Sequence, residues 1–259
     1  RSPMSVFPEA QAVVVVGRRI TRGSLRGTEE GTNLNLYGQF GLSWLNMQFL
    51  SLPTFELTEW LEDRGWEAVP LFPFPPEAYP QGVRVREGAP APNVYPDFDH
   101  VAIAAGLAEM GYLEVALTPQ FGHRQRWQII ITDAPLQGDP LLDAGLNAEC
   151  RDCAHACPMG AIDPSAERTL TIAGRQFTVA GIDYALCRRC QNGAQPNPYH
   201  PAGRPDRLAA VCLRTCMTAL EASGKLQTQF ATPFRVRPAW GFNRAGDPVS
   251  PGACEGGKA

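Results

Sequence analysis

No cysteine occurs in the first 149 residues of this 259-residue chain, and long apolar runs are lacking throughout. The longest, "AVVVV" at 12–16, falls far short of the roughly 20 residues that a bilayer-crossing helix needs. Basic residues are not in excess either: 23 Lys and Arg against 26 Asp and Glu leave a net charge of -3. A nucleic-acid or anionic-membrane surface needs a concentrated basic patch, so neither partner is expected. The start shows no charged n-region, apolar h-region and cleavage pattern, which makes a cytoplasmic location the expectation. Thiols are kept reduced there, so cysteines in such a chain point to metal binding or redox chemistry rather than to a disulfide framework.

What is present is concentrated. Seven of the eight cysteines fall between 150 and 216, and only Cys254 stands apart in a Gly-rich tail. The stretch "CRDCAHACPMGAI" (150–162) has the spacing C-x2-C-x3-C-P. These are the last three cysteines of the bacterial ferredoxin run C-x2-C-x2-C-x3-C-P, whose thiolates wrap a cubane iron–sulfur cluster. The first cysteine of that run is missing, its place held by Asn147. A second group comprises Cys187, Cys190, Cys212 and Cys216, with C-x3-C repeated at 212–216.

In two-cluster ferredoxins the Pro-flanked cysteine of each run crosses to the other cluster. By that analogy Cys157, Cys187, Cys190 and Cys212 form one complete set of four. Cys150, Cys153 and Cys216 form a set one short. The vacancy is open to three readings: a three-iron cluster, a non-cysteine or external ligand, or a distant thiol such as Cys254. Zinc is the competing reading, because C-x2-C is also ribbon spacing and four thiolates bind zinc tetrahedrally. Seven clustered cysteines are too many for one zinc ion. A single cluster with spare thiols is the other alternative.

The first half reads as strands interspersed with helices, which predicts a layered α/β or α+β domain over 1–145. "QAVVVVG" predicts a buried strand; helical spacing follows over Leu34–Leu50, interrupted by Gly38 and Gly41, and again over Pro53–Arg64 with Gly65 closing it. "EAVPLFPFPP" predicts a strand running into a Pro-rich loop that reaches about residue 96. Asp97 or Asp99 then caps a helix "HVAIAAGLAEMG" that Gly111 ends, and "RWQIIITD" predicts another buried strand. Residues 146–223 form a second unit: the cysteines, a hairpin "RTLTIAGRQFTVAG" turning near Gly174, and a helix "DRLAAVCLRTCMTALEASG". Residues 224–259 form a Pro/Gly-rich tail expected to lie over the body through Trp240 and Phe242.

The string "AAGLAEMGYLEVALTPQFGHRQRWQIIITDAPLQGDPLLDAG" (104–145) is longer and more specific. It resembles the reductive dehalogenase and epoxyqueuosine reductase superfamily, in which A-G-L-G-x-x-G, T-P-x-x-G-x-R and T-D-x-P-L precede the ferredoxin cysteines. The match covers residues 97–162 well and 34–72 more loosely. The resemblance implies an α+β chain: a nitroreductase-like α/β domain holding base-off cobalamin, then a ferredoxin-like domain whose two 4Fe-4S clusters feed electrons to the cobalt. Flavin is the alternative occupant for a nitroreductase-like fold. On this resemblance Gly106, Leu107, Gly111, Thr118, Pro119, Phe121, Gly122 and Arg124 are the cofactor-facing positions. His123 is a candidate cobalt ligand or proton donor.

One departure bears on the reaction. Where the family has Arg or Lys directly after the glycine matched by Gly111, this chain has Tyr112. That basic residue supports the dehalogenases' tyrosine proton donor, so its loss puts dehalogenation in doubt and adds Tyr112 to the catalytic candidates. Tyr37 is the only tyrosine near the helix that would carry the donor. The aspartate donor of epoxyqueuosine reductases has no counterpart, its position being Pro92, and Asp97 and Asp99 read as helix caps. The expectation is an iron–sulfur, cobalamin-dependent oxidoreductase acting on a small organic molecule. Its electrons would come from a low-potential donor such as ferredoxin or flavodoxin, and it would act alone, as a homodimer or with a partner subunit. The rival is an electron-transfer or corrinoid-reducing subunit that docks a partner through exposed aromatics such as Trp66 and Trp240.

Overall fold

β-Branched residues set the first strand, since valines pack well on a pleated surface and resist helix. In the computed structural model, which describes residues 3–73, 96–146, 150–198, 201 and 203–251, β1 runs Ala12–Arg19. It is followed by α1 (Arg22–Glu29) and α2 (Asn35–Tyr37). Two π-helical stretches come next, Gly38–Ser43 and Leu45–Leu50, and then α3 (Ser51–Glu62). The two helices expected over 34–50 and 53–64 therefore form nearly one helical path. Pro53 sits at the third position of α3, where a missing N–H costs little because first-turn donors have no partner within the helix.

After β2 (Ala68–Leu71), α4 spans Phe98–Ala104 with Asp97 at its N-cap, the side chain accepting from His100 N at 3.2 Å. This helix stops well before Gly111, contrary to the expectation. Gly106 turns the chain at φ 78°, and β3 (Glu109–Met110) pairs with β4 (Ala116–Leu117) across a tight turn. β5 (Gln125–Thr132) is the central strand of an antiparallel sheet ordered β1-β5-β2. Its Ile129, Ile130 and Ile131 are fully buried, while β1, at the edge, is only half-buried. Register places Gly17 opposite Trp127, where a Cβ would come within 2.4 Å of the indole.

The second half begins with α5 (Asp152–His155), continues through the hairpin β6 (Ile162–Ile172) and β7 (Arg175–Ile182), and reaches α6 (Tyr184–Cys187). Ala173 and Gly174, with φ 48° and 81°, make the hairpin turn; two positive φ values in succession suit the right-handed twist of the flanking strands. α7 (Val211–Ala222) starts five residues later than its sequence pattern suggests, and β8 (Gly241–Phe242) pairs with β9 (Pro248–Val249).

Apolar clusters run across residue 145. Tyr112, Leu113 and Leu117 pack with Cys153, Ala180 and Leu213, and Ile20, Leu25 and Tyr37 pack with Ala209, Met217 and Phe234. Trp240 donates its indole N–H to Thr28 O at 2.8 Å, and Phe242 N donates to Asn192 Oδ1 at 2.6 Å. The unpredicted α1 explains why its signal was faint. Leu25 is its one large apolar residue, and its buried face carries Arg22 and Glu29, paired with Glu221, Arg214 and Arg235. Periodicity cannot report a helix anchored through charge.

Candidate functional site

A cavity of about 990 Å³ opens between two walls, at the upper end of small-molecule sites. The first wall comes from the π-helical segment, the start of α4 and β5, through Leu42, Asn46, Asp99, His123, Arg126 and Trp127. The second comes from the thiol-bearing half and the β3–β4 turn, through Glu114, Tyr184, Arg204, Asp206, Arg207 and Leu208.

Tyr37 ties the walls together from behind. Fully buried, it donates its hydroxyl to Asp206 Oδ1 at 2.5 Å and accepts from Arg126 Nη2 at 2.6 Å, while Arg126 Nη1 pairs with Asp206 Oδ2 at 2.5 Å. Burial holds the phenol well above its ordinary pKa against the pull of Arg126, so its proton stays at Oη near neutrality. Burial also works against the charge on Arg126, but Asp206 and Tyr37 outweigh it and fix the guanidinium as a cation. A Cβ at Gly41 would stand 2.4 Å from the Tyr37 ring, so glycine there is what lets the ring lie against the π-helical turn.

His123 lines the same cavity at 1% exposure, and neither ring nitrogen has a hydrogen-bond partner among the described residues. Burial, helped by the Arg124 charge, pulls its pKa down to about 3, with the Leu208 backbone and Asp206 opposing weakly. The imidazole is thus neutral at pH 7. As a neutral imidazole it offers one N–H donor and one nitrogen lone pair that can accept or ligate. Asp99 moves the other way: burial and the neighbouring Asp97 push its carboxyl up to about 7. It accepts from Trp127 Nε1 at 3.1 Å, so it does not cap α4.

The other predicted positions lie elsewhere. None of Gly106, Leu107, Gly111, Thr118, Pro119, Phe121, Gly122 and Arg124 lines this cavity. A Cβ at Gly106 would meet Pro140 O at 2.2 Å, and one at Gly111 would meet the Leu117 side chain at 2.9 Å, so both glycines allow close chain packing. Leu107 is exposed. Thr118 and Gly122 exchange backbone hydrogen bonds of 2.8 and 2.9 Å, and Thr118 Oγ1 accepts from Phe121 N at 3.1 Å, closing a tight loop. The tail covers that loop: Gln227 N donates to Pro119 O at 2.8 Å, and the Arg19 guanidinium lies 6.0 Å from the Phe121 ring. Arg124 is buried against Glu221 at 3.9 Å and the Phe230 ring at 5.4 Å. Tyr112 also stays out of the cavity, packed beside Cys153 with the Arg151 guanidinium 4.0 Å from its ring centre. Burial and the nearby Glu167 raise its pKa to about 12.

All seven described cysteines are free thiols, and Cys153, Cys187 and Cys212 are buried. Their mutual influence falls into two groups. Cys153 feels Cys216 most, then Cys212 and Cys150, and Cys216 feels Cys150. Cys212 feels Cys157, Cys190 and Cys187; Cys187 feels Cys157 and Cys190; and Cys190 feels Cys157. Burial is the largest influence on each of these five thiols and raises it, far above the ordinary thiol range for Cys153 and to about 12 for Cys212. Among the described residues no three or more His, Cys, Asp or Glu side chains converge on a single metal ion. Asn147, Cys254, Pro92 and His200 lie outside the described residues.

Arg207 joins the second thiol group to the cavity, yet spacing does not mark it. Asp206 and Arg207 read as the first turn of a helix, and their partners Tyr37, Arg126 and Leu113 are some 80 or more positions away. A charged pair just ahead of an apolar helix is the only trace in the sequence.

No protein-family model and no curated protein matches the chain. Among solved structures it is similar to the catabolic reductive dehalogenase NpRdhA, at 16% identity and a TM-score of 0.43 over 92% of this chain and 33% of that one. It is also similar to epoxyqueuosine reductase from Bacillus subtilis, at 18% identity and a TM-score of 0.39 over 62% and 38%. A third is a reductive dehalogenase described in terms of B12-dependent dehalogenation, at 16% identity and a TM-score of 0.43 over 82% and 28%. The chain thus spans about a third of the length of these proteins.

Proposed function

We propose that the chain is an iron–sulfur oxidoreductase that reduces or reductively cleaves a small organic molecule in the 990 Å³ cavity. The partition of the thiols supports this reading most directly. The thiols acting on Cys212 include Cys157, Cys187 and Cys190, and those acting on Cys153 include Cys216 and Cys150 together with Cys212, an arrangement that suits the reciprocal crossover of a two-cluster domain. The donor set fits: four thiols for one cluster, three for the other, with its fourth ligand non-cysteine or beyond the described residues. In this reading residues 1–145 are the nitroreductase-like cofactor domain, 146–223 the ferredoxin-like domain and 224–259 a covering tail. A low-potential ferredoxin or flavodoxin in the cytoplasm supplies electrons.

Bound clusters supply one-electron transfer, and cobalamin, the cofactor named for one of the similar dehalogenases, would supply a reducible metal centre in the cavity. Of the positions first assigned to that cofactor only His123 meets the cavity, offering a neutral imidazole; flavin is the other occupant the volume admits. The chain's own residues would handle the proton. Asp99 titrates near 7 on the wall and can give one up at neutral pH, while Tyr37 keeps its own between Arg126 and Asp206.

Anaerobic purification after growth with hydroxocobalamin, followed by iron, sulfide, cobalt and zinc analysis and EPR, tests this. Roughly seven or eight irons and about one cobalt per chain are expected from two cubane clusters and one corrinoid. Iron without cobalt would leave a flavin enzyme or a carrier, and zinc alone would overturn the proposal.

A carrier role has one observation in its favour. Phe40, Trp44, Met47, Phe49, Leu52, Phe55 and Trp60 are all exposed along the helical path from 35 to 62, an apolar face of the kind that meets partners. Iron-loaded protein that reduces no small molecule yet forms a complex through this face would favour that second reading.

A further inference from the structure

Arg207 is 8% exposed, and its guanidinium is only partly satisfied. Nη2 donates to Leu113 O at 2.7 Å and reaches Tyr184 Oη at 3.5 Å, whereas Nη1 is buried without a partner among the described residues. The residue lines the cavity, and Cys187 and Cys212 lie within reach of its charge. The groups facing it are Tyr184, Glu114, Cys187 and Cys212. Glu114 is shared with Arg168 and Arg204, which leaves it a weak counter-charge for Arg207.

An unpaired N–H on a buried cation is costly. A neutral thiol is a poor acceptor, but a thiolate or a sulfide carrying negative charge is a good one. The spare donor therefore has a natural partner in a negatively charged group held by the second set of cysteines. Arg151 sits beside Cys150 at the first set, but more than a quarter exposed and already engaged with Glu167 at 2.7 Å. The two sets thus differ in their electrostatic surroundings.

Resting on the iron–sulfur reading above, we propose that Arg207 is a positioning residue for the cluster on Cys157, Cys187, Cys190 and Cys212. Its fixed charge and free Nη1 stabilise the reduced cluster, so that this cluster accepts an electron more readily than it otherwise would, next to the cavity wall. The step is a one-electron reduction of the cluster by an external donor. It adds one negative charge close to the guanidinium, which favours it; no proton need move.

The test is an anaerobic redox titration of the iron-loaded protein, following each cluster by EPR. In Arg207→Gln the reduced-to-oxidised ratio of the second cluster at a fixed potential should fall about tenfold, equivalent to about 59 mV for a one-electron couple. The first cluster should stay unchanged. Arg207→Lys, which keeps the charge, should restore most of the ratio. An unchanged second cluster, or an equal shift in both, would overturn the proposal. If Arg207→Gln does not assemble, Arg207→His titrated at pH 8, where the imidazole is neutral, removes the same charge: the second cluster should again be harder to reduce than in wild type, and an unmoved ratio would overturn the proposal. A wild-type protein without iron would instead sink the iron–sulfur reading itself.

Discussion

The two walls of the cavity are built on different principles. The sheet wall is held by paired groups: Asp99 meets Trp127 within it, and Arg126 is held by Tyr37 and, from the opposite wall, by Asp206. The thiol wall keeps a buried cation, Arg207, whose Nη1 has no partner among the described residues, beside Cys187 and Cys212. A wall that only shapes a ligand has no need of spare buried charge, whereas one that backs an electron carrier gains from it. In the proposed reading, one wall would position the ligand and the other would deliver electrons.

Breaking the link between the walls should have the largest effect. Asp206→Ala strips Arg126 of its counter-charge and Tyr37 of its acceptor, and losing one partner of a buried pair costs about 3–5 kcal/mol. Thermal unfolding under anaerobic conditions measures this; a loss below about 1 kcal/mol, the worth of an exposed pair, would mean the walls are not joined there. Gly41→Ala forces a methyl against the Tyr37 ring and should cost about 1–3 kcal/mol, read the same way. Tyr37→Phe leaves Arg126 and Asp206 paired and should cost only about 1 kcal/mol. If it also abolished turnover with the fold intact, the phenol would be a proton source rather than a tie.

The smallest effects sharpen the contrast by pH. His123 has a folded pKa near 3, below its unfolded value of about 6.5, so the unfolded chain binds the extra proton between these values and stability rises with pH there. Asp99 has a folded pKa near 7, above its unfolded value of about 3.9, so its contribution is complete below that value and is lost as pH rises towards 7. Between about pH 4 and 6.5 the two oppose each other. Asp99→Asn should therefore make unfolding midpoints climb more steeply with pH across that window, and His123→Gln should flatten or invert the climb. Parallel curves for both variants and wild type would show that neither group is buried as described.

The thiol wall was the more legible of the two in sequence, because ligand chemistry fixes short spacings: C-x2-C, x3-C-P and the repeat at 212–216 stand out without any fold. The strands β1 and β5, the hairpin at Gly174 and the Asp97 cap were also readable, since each follows from local preference. The contacts of the sheet wall were not. Gly106 and Gly111 looked like cofactor-facing glycines, yet their missing side chains make room for Pro140 and Leu117. Local pattern marks where a side chain is absent but not what fills the space. Likewise, no periodicity joins Tyr37 to Asp206 across 169 positions. The π-helical turns over 38–50 depart from 3.6 residues per turn, so helical spacing in the sequence does not give which residues there face the core.

The reciprocal exchange of Cys157 and Cys216 between two clusters is tested by iron and sulfide counts with EPR on wild type, Cys157→Ala and Cys216→Ala, purified anaerobically. Wild type should show two distinguishable clusters, Cys157→Ala should lose the signal tied to Cys187, Cys190 and Cys212, and Cys216→Ala should lose the other. Both variants removing the same cluster, or neither changing the iron count, would contradict it.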